Sequence, residues 1–163
     1  MRKVGIVMGS TSDLPVVEKA IGVLRDYGVD TEVRVLSAHR CPNEAREFAA
    51  SARESGFSVL IAAAGMAAHL AGALAANTTL PVIGIPCAGA NFDGMDALLS
   101  TVQIPSGIPV ATVAVNGAKN AALLAIQIMA VTDMSLADKL SAAREKETAA
   151  VLKADKELRE QYQ

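Results

Sequence analysis

Short apolar runs alternate along the chain with longer stretches whose apolar residues recur at helical spacing. The runs KVGIVMG (3–9), DTEVRVL (30–36), FSVLIAAA (57–64), PVIGIP (81–86) and GIPVATVAV (107–115) have the length and composition of strands. The segments between them read as helices. In 13–28, Val16, Ile21 and Leu24 share a helical face and Gly28 supplies a stop. Segment 42–56 carries Pro42 in its first turn and closes on Gly56. Segment 66–78 is a helix of small residues, 94–103 a short helix, and 118–131 is apolar nearly throughout, as a buried helix would be. From Ser135 the chain turns charged and helical, with apolar positions at Leu136, Leu140, Val151 and Leu158 and a weak capping box from Ser135 to Asp138. Segment 135–163 is expected to be an arm packed along its own core or on a neighbouring chain. No linker, repeat or low-complexity segment interrupts the pattern, so 1–163 reads as one domain.

Five mostly apolar strands alternating with helices predict an α/β fold, a parallel sheet covered by helices on both faces. Right-handed crossovers make it a three-layer, doubly wound, flavodoxin-like sandwich. Ligands of such sheets bind outside the carboxyl ends of the strands. The stretches at that edge are GSTSD (9–13), SAHR (37–40), AAGMAAHLAG (63–72), PCAGANFDGMD (86–96) and, ahead of the fifth strand, IPSGIP (104–109). Both histidines of the chain, His39 and His69, fall there.

Composition narrows the function classes. Net charge is −2, with 15 basic and 17 acidic residues, which leaves no electrostatic footprint for nucleic acid or an anionic membrane. No apolar run is long enough to cross a bilayer, and the basic pair Arg2–Lys3 is followed by no signal-peptide pattern, so the expected location is the cytoplasm. Hydrophobic residues make up 52% of the chain but aromatics only 3%. This Ala-rich excess of apolar surface suggests a subunit interface. Cys41 and Cys87 form no metal-spaced or redox motif and read as reduced thiols, Cys41 as packing at a helix start.

The edge residues suggest a chemistry. In GSTSD, Ser10 and Ser12 offer hydroxyls beside a helix start, a setting for phosphate, and Asp13 either caps that helix or grips ribose hydroxyls. In SAHR, Ser37 and Arg40 suit a phosphate, and His39 between them is a proton carrier near neutral pH. In the third stretch Gly65 admits a flat ring close to the backbone and His69, four residues on, faces the same cavity or sits satisfied in the core. No dinucleotide fingerprint, Walker loop, nucleophile elbow or metal-ligand spacing is present. Phosphate grips around a proton carrier point to a phosphorylated substrate whose chemistry is proton transfer.

Taken together, MGSTSD, SAHRCP, AAGMAAHLAG, LPVIGIP, DALLSTVQIPSGIPVATVAV and NAALLAIQI resemble, in order and spacing, the PurE family of purine biosynthesis, from Val4 to about Met129. The likeness is to the class I type, an N5-carboxyaminoimidazole ribonucleotide mutase that needs no ATP, metal or organic cofactor. It implies a homo-octamer with sites between subunits, a ribonucleotide substrate and transient CO2. By motif, it implies that Asp13 holds the ribose, that Ser10 and Ser12 belong to the first loop, and that Ser12, Ser37 and Arg40 bind phosphate. His39 would be the general acid/base. Ala64, Gly65, His69 and Leu70 would enclose the ring and the migrating carboxylate. The chain departs from the usual pattern at Leu14, Cys41, Ala63, Met66, Ala71 and Ser106, where Trp, Thr, Gly, Gly, Pro and Arg are frequent. Competing readings are a class II enzyme carboxylating aminoimidazole ribonucleotide with free CO2, a flavin- or nucleotide-binding module, and an inactive scaffold. Arg40 and GMAAHLAG favour class I, since class II types tend to carry Lys after the His and Ser-Asn in the ring loop.

Overall fold

The computed structural model describes residues 3–89 and 91–162, so Arg2 of the basic pair and Ala90 in the loop after the fourth strand lie outside the described residues. The strands are β1 (Lys3–Met8), β2 (Asp30–Val35), β3 (Val59–Gly65), β4 (Val82–Cys87) and β5 (Ala111–Thr112). The helices are α1 (Leu14–Asp26), α2 (Pro42–Ser51), α3 (Leu70–Ala75), α4 (Met95–Val102), α5 (Ala118–Ala130) and α6 (Met134–Tyr162). All strand pairs are parallel and the sheet order is β2-β1-β3-β4-β5, the flavodoxin-like order expected for this alternation.

Side chains of successive strand residues point to opposite faces, and each face meets its own helices. Ile6, Ile61, Ile83 and Ile85 pack with Leu24 of α1, Ile126 of α5 and Leu136 of α6. Val7, Leu60 and Val82 pack on the other face with Phe48 of α2 and Leu74 of α3. Each of these large apolar side chains contributes roughly 1.5–3 kcal/mol on burial. Gly84 faces this second layer where nothing larger fits, because a Cβ there would clash with Cγ2 of the buried Thr101. Gly28 ends α1 as predicted. It takes φ +74, and the N–H groups of Gly28 and Val29 donate to the carbonyls of Arg25 and Leu24, the paired bonds of a Schellman cap.

Four elements differ from expectation. Helix α2 stops at Ser51, and a turn carries the chain to Gly56 at φ +80. Helix α3 covers only Leu70–Ala75, because the residues before it stay in the loop that leaves β3. Strand β5 keeps two residues of the predicted nine: it is an edge strand, Pro109 lacks an N–H, and Asn116 turns the chain at φ +56. The cap of α6 is Asp133, not Ser135; Oδ1 of Asp133 accepts the N–H of Ser135 at 3.2 Å and that of Leu136 at 3.4 Å. Of the apolar stripe of α6, Leu136 is buried and Leu140 packs on the core, whereas Val151 and Leu158 are exposed. Helix α6 therefore docks by its first turns, helped by Lys139 Nζ donating to the Tyr27 carbonyl at 3.0 Å, and the rest projects as an arm.

Candidate active site

The sheet order places β2 and β3 on either side of β1, so the loops leaving all three strands converge over one end of the sheet. This convergence sits between β1 and β3, where the strand order reverses and ligand crevices form. Every candidate residue lies in these loops or at their borders.

The loop after β2 is wound tightly on itself. The N–H of Cys41 donates to the Ser37 carbonyl at 2.9 Å, and the Ser37 N–H donates to Sγ of Cys41 at 3.0 Å. Oγ of Ser37 accepts the N–H groups of His39 (3.3 Å) and Arg40 (3.2 Å). Cys41 thus serves the loop as an acceptor, a role the hydroxyl of the family's frequent Thr also supports. Ser37 is first a brace for SAHR, and its hydroxyl hydrogen is what remains to offer a phosphate. The loop holds His39 and Arg40 outward, both exposed. Among the described residues the Arg40 guanidinium has no ion-pair partner.

The loop after β1 forms a single 3-10 turn, Thr11–Asp13, before α1 begins. Oγ of Ser10 caps that turn, accepting the Ser12 N–H at 3.2 Å and the Ser12 hydroxyl at 2.9 Å. Asp13 occupies the N-cap position of α1, yet its side chain makes no capping bond. Of the two roles the sequence allows Asp13, capping of α1 is the one its side chain does not perform. Burial raises the Asp13 carboxyl above its ordinary value of 3.8, while hydrogen bonds from the Ser10 backbone and the Cys87 side chain oppose the rise. Cys87, at the end of β4 and buried, has its thiol pushed up to about 12 by burial and by the Asp13 charge. It stays protonated, a donor beneath Asp13 and no nucleophile.

The raised Asp13 value has a consequence for stability. The folded state holds this proton more tightly than the unfolded chain, so unfolding free energy falls as pH climbs from the ordinary carboxylate range through the raised value. Above that window the ionised carboxylate costs the ligand-free protein stability. Asp13→Asn is expected to raise the thermal midpoint of the free protein at pH 7 and to weaken nucleotide binding. Below the window the two midpoints should converge. An unchanged or lowered midpoint at pH 7 would contradict the burial of this charge.

Ala64 and Gly65 end β3 half-buried, and a Cβ on Gly65 would come within 3.4 Å of the Cys87 carbonyl. That is ordinary van der Waals contact, so space at the strand end does not by itself demand glycine here. Met66 follows at φ +53, a left-handed conformation that costs a side-chain-bearing residue roughly 1–2 kcal/mol, and its side chain is exposed. The glycine frequent at this position in the resembled family would carry no such cost. His69, expected inside the helix, is instead the N-cap residue one step ahead of α3, held by N–H donation to Ala67 (2.8 Å) and by its carbonyl accepting from Ala73 (2.9 Å). Leu70 is buried in the layer beneath, so its side chain anchors the loop and does not reach the pocket.

The two histidines meet. Nε2 of His39 lies 2.8 Å from Nδ1 of His69, with the rings edge to face and their centroids 5.0 Å apart. Residues 30 positions apart thus form one hydrogen-bonded imidazole pair beside Arg40.

Two contributors at this edge escape the sequence reading. Cys87, read as a bare thiol, supports Asp13; its place at the end of β4 was the available signal. Asn116 accepts the Ala88 N–H at 3.0 Å and donates its own N–H to Pro86 at 2.8 Å, tying the loop after β4 to that after β5. Nothing in sequence spacing foretells that tie. Among the described residues no three His, Cys, Asp or Glu side chains gather as a metal set. A cavity of about 720 Å³ lined by Arg53, Asn77 and Thr79 opens beside the amino-terminal end of β4, away from this chemistry. In the single chain the histidine site is an open shelf.

Residues 3–150 match the AIR carboxylase family. The chain is 54% identical over 145 residues to the N5-carboxyaminoimidazole ribonucleotide mutase of Pyrococcus abyssi, covering 89% of this chain and 83% of that protein. It is 48% identical over 157 residues to the enzyme of the same name from Methanocaldococcus jannaschii, covering 96% and 98% respectively. The crystal structure of Treponema denticola PurE superimposes with a TM-score of 0.86 at 29% identity, covering 96% of this chain and 98% of that one.

Proposed function

The chain belongs to the AIR carboxylase family, and we propose that it acts as an N5-carboxyaminoimidazole ribonucleotide mutase, an isomerase of purine biosynthesis. It moves a carboxyl group from the exocyclic nitrogen to carbon 4 of the imidazole, giving 4-carboxy-5-aminoimidazole ribonucleotide. The observation that carries the mechanism is the His39–His69 pair, next in the chain to Arg40, which has no ion-pair partner among the described residues.

The proton count explains why one carrier suffices. As CO2 leaves, the nitrogen–carbon bond breaks, its electron pair stays on nitrogen, and nitrogen takes a proton. Carbon 4 then attacks CO2 and becomes tetrahedral. Its hydrogen leaves as a proton and the electron pair restores the ring. One proton is given and one taken back, so His39 begins and ends in the same state. CO2 must stay beside carbon 4 between these steps, which suits a pocket walled by Ala64 and Gly65. Arg40, Ser37, Ser12 and Ser10 bind the phosphate and Asp13 the ribose, so remote binding energy orients the ring. Nothing in this cycle calls for ATP, a metal or an organic cofactor.

Assembly completes the site. The outer face of α4 exposes Met95, Leu99 and Val102 beside Phe92, and the arm of α6 exposes Val151, Leu152, Leu158 and Tyr162. Apolar surface on this scale supports a homo-oligomer, which we assign as an octamer that closes the open shelf between subunits. Among the described residues no helix is long and apolar enough to cross a membrane, in keeping with a cytoplasmic enzyme.

The test is an ATP-free assay of carboxylated product at neutral pH. One cuvette receives the N5-carboxyamino nucleotide and the other aminoimidazole ribonucleotide with modest bicarbonate. Fast conversion only in the first is expected. Efficient conversion only in the second would make the protein a direct carboxylase, and silence in both would leave a binding module.

A further inference from the structure

The resemblance implies only that His69 borders the ring. The geometry points to a more specific role: we propose that His69 is the positioning residue of the proton carrier, its Nδ1 accepting the Nε2–H of His39 and thereby fixing the ring and tautomer of His39. This deepens the mutase reading and rests on it for the identity of the reaction, though not for the contact itself.

Three observations carry the assignment. The contact is 2.8 Å and joins specific atoms, Nε2 to Nδ1. One of the two nitrogens must supply the hydrogen and the other a lone pair, so the bond exists only when the pair holds complementary tautomers and is lost if both rings are fully protonated. The supports on each side are firm. SAHR is braced through Ser37 and Cys41, and His69 is locked at the N-cap of α3 with buried Leu70 next to it. An exposed imidazole without such a partner rotates freely about its side-chain bonds, and a displacement of about 1 Å at a reacting group costs roughly 100-fold in rate. The second histidine removes that freedom.

The direction follows from the mechanism. The first step needs a proton delivered to the departing nitrogen, so His39 must be loaded when substrate arrives. With Nδ1 of His69 as acceptor, the Nε2–H of His39 stays in that bond, and the proton given to the departing nitrogen is the one the His39 imidazolium carries on Nδ1, which leaves a neutral Nε2–H tautomer whose Nδ1 lone pair takes the proton back from carbon 4. No proton is gained or lost by the pair over the cycle, since His39 recovers from carbon 4 what it gave to nitrogen.

Side-chain geometry gives a discriminating test. Asn places a polar atom where His carries Nδ1, whereas Gln reaches the position of Nε2 and Leu offers no acceptor. His69→Asn is expected to retain kcat within about threefold, whereas His69→Leu and His69→Gln lose kcat by roughly 100-fold with KM little changed. A merely structural role would rank the variants by stability, so thermal midpoints are measured alongside. The chain has two histidines, so a long-range proton–nitrogen spectrum of the ligand-free protein contains only these two rings. In the wild type and His69→Asn, His39 should show a hydrogen fixed on Nε2; in His69→Leu it should move to the tautomer mixture of a free imidazole. Equal kcat in the Leu and Asn variants, or an unchanged His39 spectrum in His69→Leu, would overturn the proposal. The spectrum needs no substrate. An inactive wild type with a fixed His39 tautomer would therefore defeat the mutase reading alone, and an active wild type with an indifferent His69→Leu would defeat this proposal alone.

Discussion

Replacing His39 with Asn is expected to lower kcat by roughly 10²–10⁴-fold, the range for removing a general acid/base, while nucleotide affinity changes by no more than about threefold. That loss corresponds to about 3–5 kcal/mol of barrier height. Asn fills nearly the same space and can still donate and accept hydrogen bonds, so SAHR keeps its braces from Ser37 and Cys41. It cannot exchange a proton near neutral pH, and it is too short to keep the Nε2 contact with His69. Binding should survive because phosphate and ribose are held by other side chains. Turnover and product affinity, measured on the same preparation, separate the two effects. Near-normal kcat would remove His39 from the chemistry; a loss confined to KM would make it a binding residue.

The legible parts of this structure are those governed by local pattern. The strands of 3–9, 57–64 and 81–86 were readable because apolar runs of that length bounded by Gly or Pro have few other uses, and 30–36 because it closes on the apolar run VRVL. The convergence of Ser10, Asp13, Ser37, His39, Arg40 and His69 was readable because parallel sheets present their strand ends together. What stayed hidden depends on tertiary neighbours. The run 107–115 has the composition of a full strand, but an edge position beside β4 and a proline leave it two paired residues. Asp13 looked like an ordinary helix cap until the extra turn at Thr11–Asp13 gave Ser10 that kind of work. Cys87 looked inert because its partner lies far away in sequence and closes only when β4 and α1 share a core layer. The same holds for the histidines. Strand order brings their loops together, but only folded coordinates give 2.8 Å and the identity of the facing nitrogens.

Arg40→Met is the second large expected effect, and it should fall on binding. The Arg40 guanidinium stands at the mouth of the site with no ion pair among the described residues, on a loop whose backbone N–H groups at His39 and Arg40 are already committed to Ser37. The loop therefore has few other donors for an anion, and the side chain must provide the charge. Two charge-assisted hydrogen bonds to a phosphate, partly offset by solvent at an exposed position, are worth about 2–3 kcal/mol, or roughly 30–150-fold in affinity. Arg40→Met should raise KM by that factor with kcat reduced less than about threefold, because the phosphate lies remote from carbon 4. Arg40→Lys should recover part of the loss, since the charge returns without the paired geometry. The dephosphorylated nucleoside provides the control: it should bind wild type and Arg40→Met equally weakly. If the variant also loses affinity for the nucleoside, Arg40 holds something other than phosphate. If kcat collapses while KM is unchanged, the guanidinium acts at the ring beside His39, and the division of the site into a phosphate grip and a proton carrier is wrong.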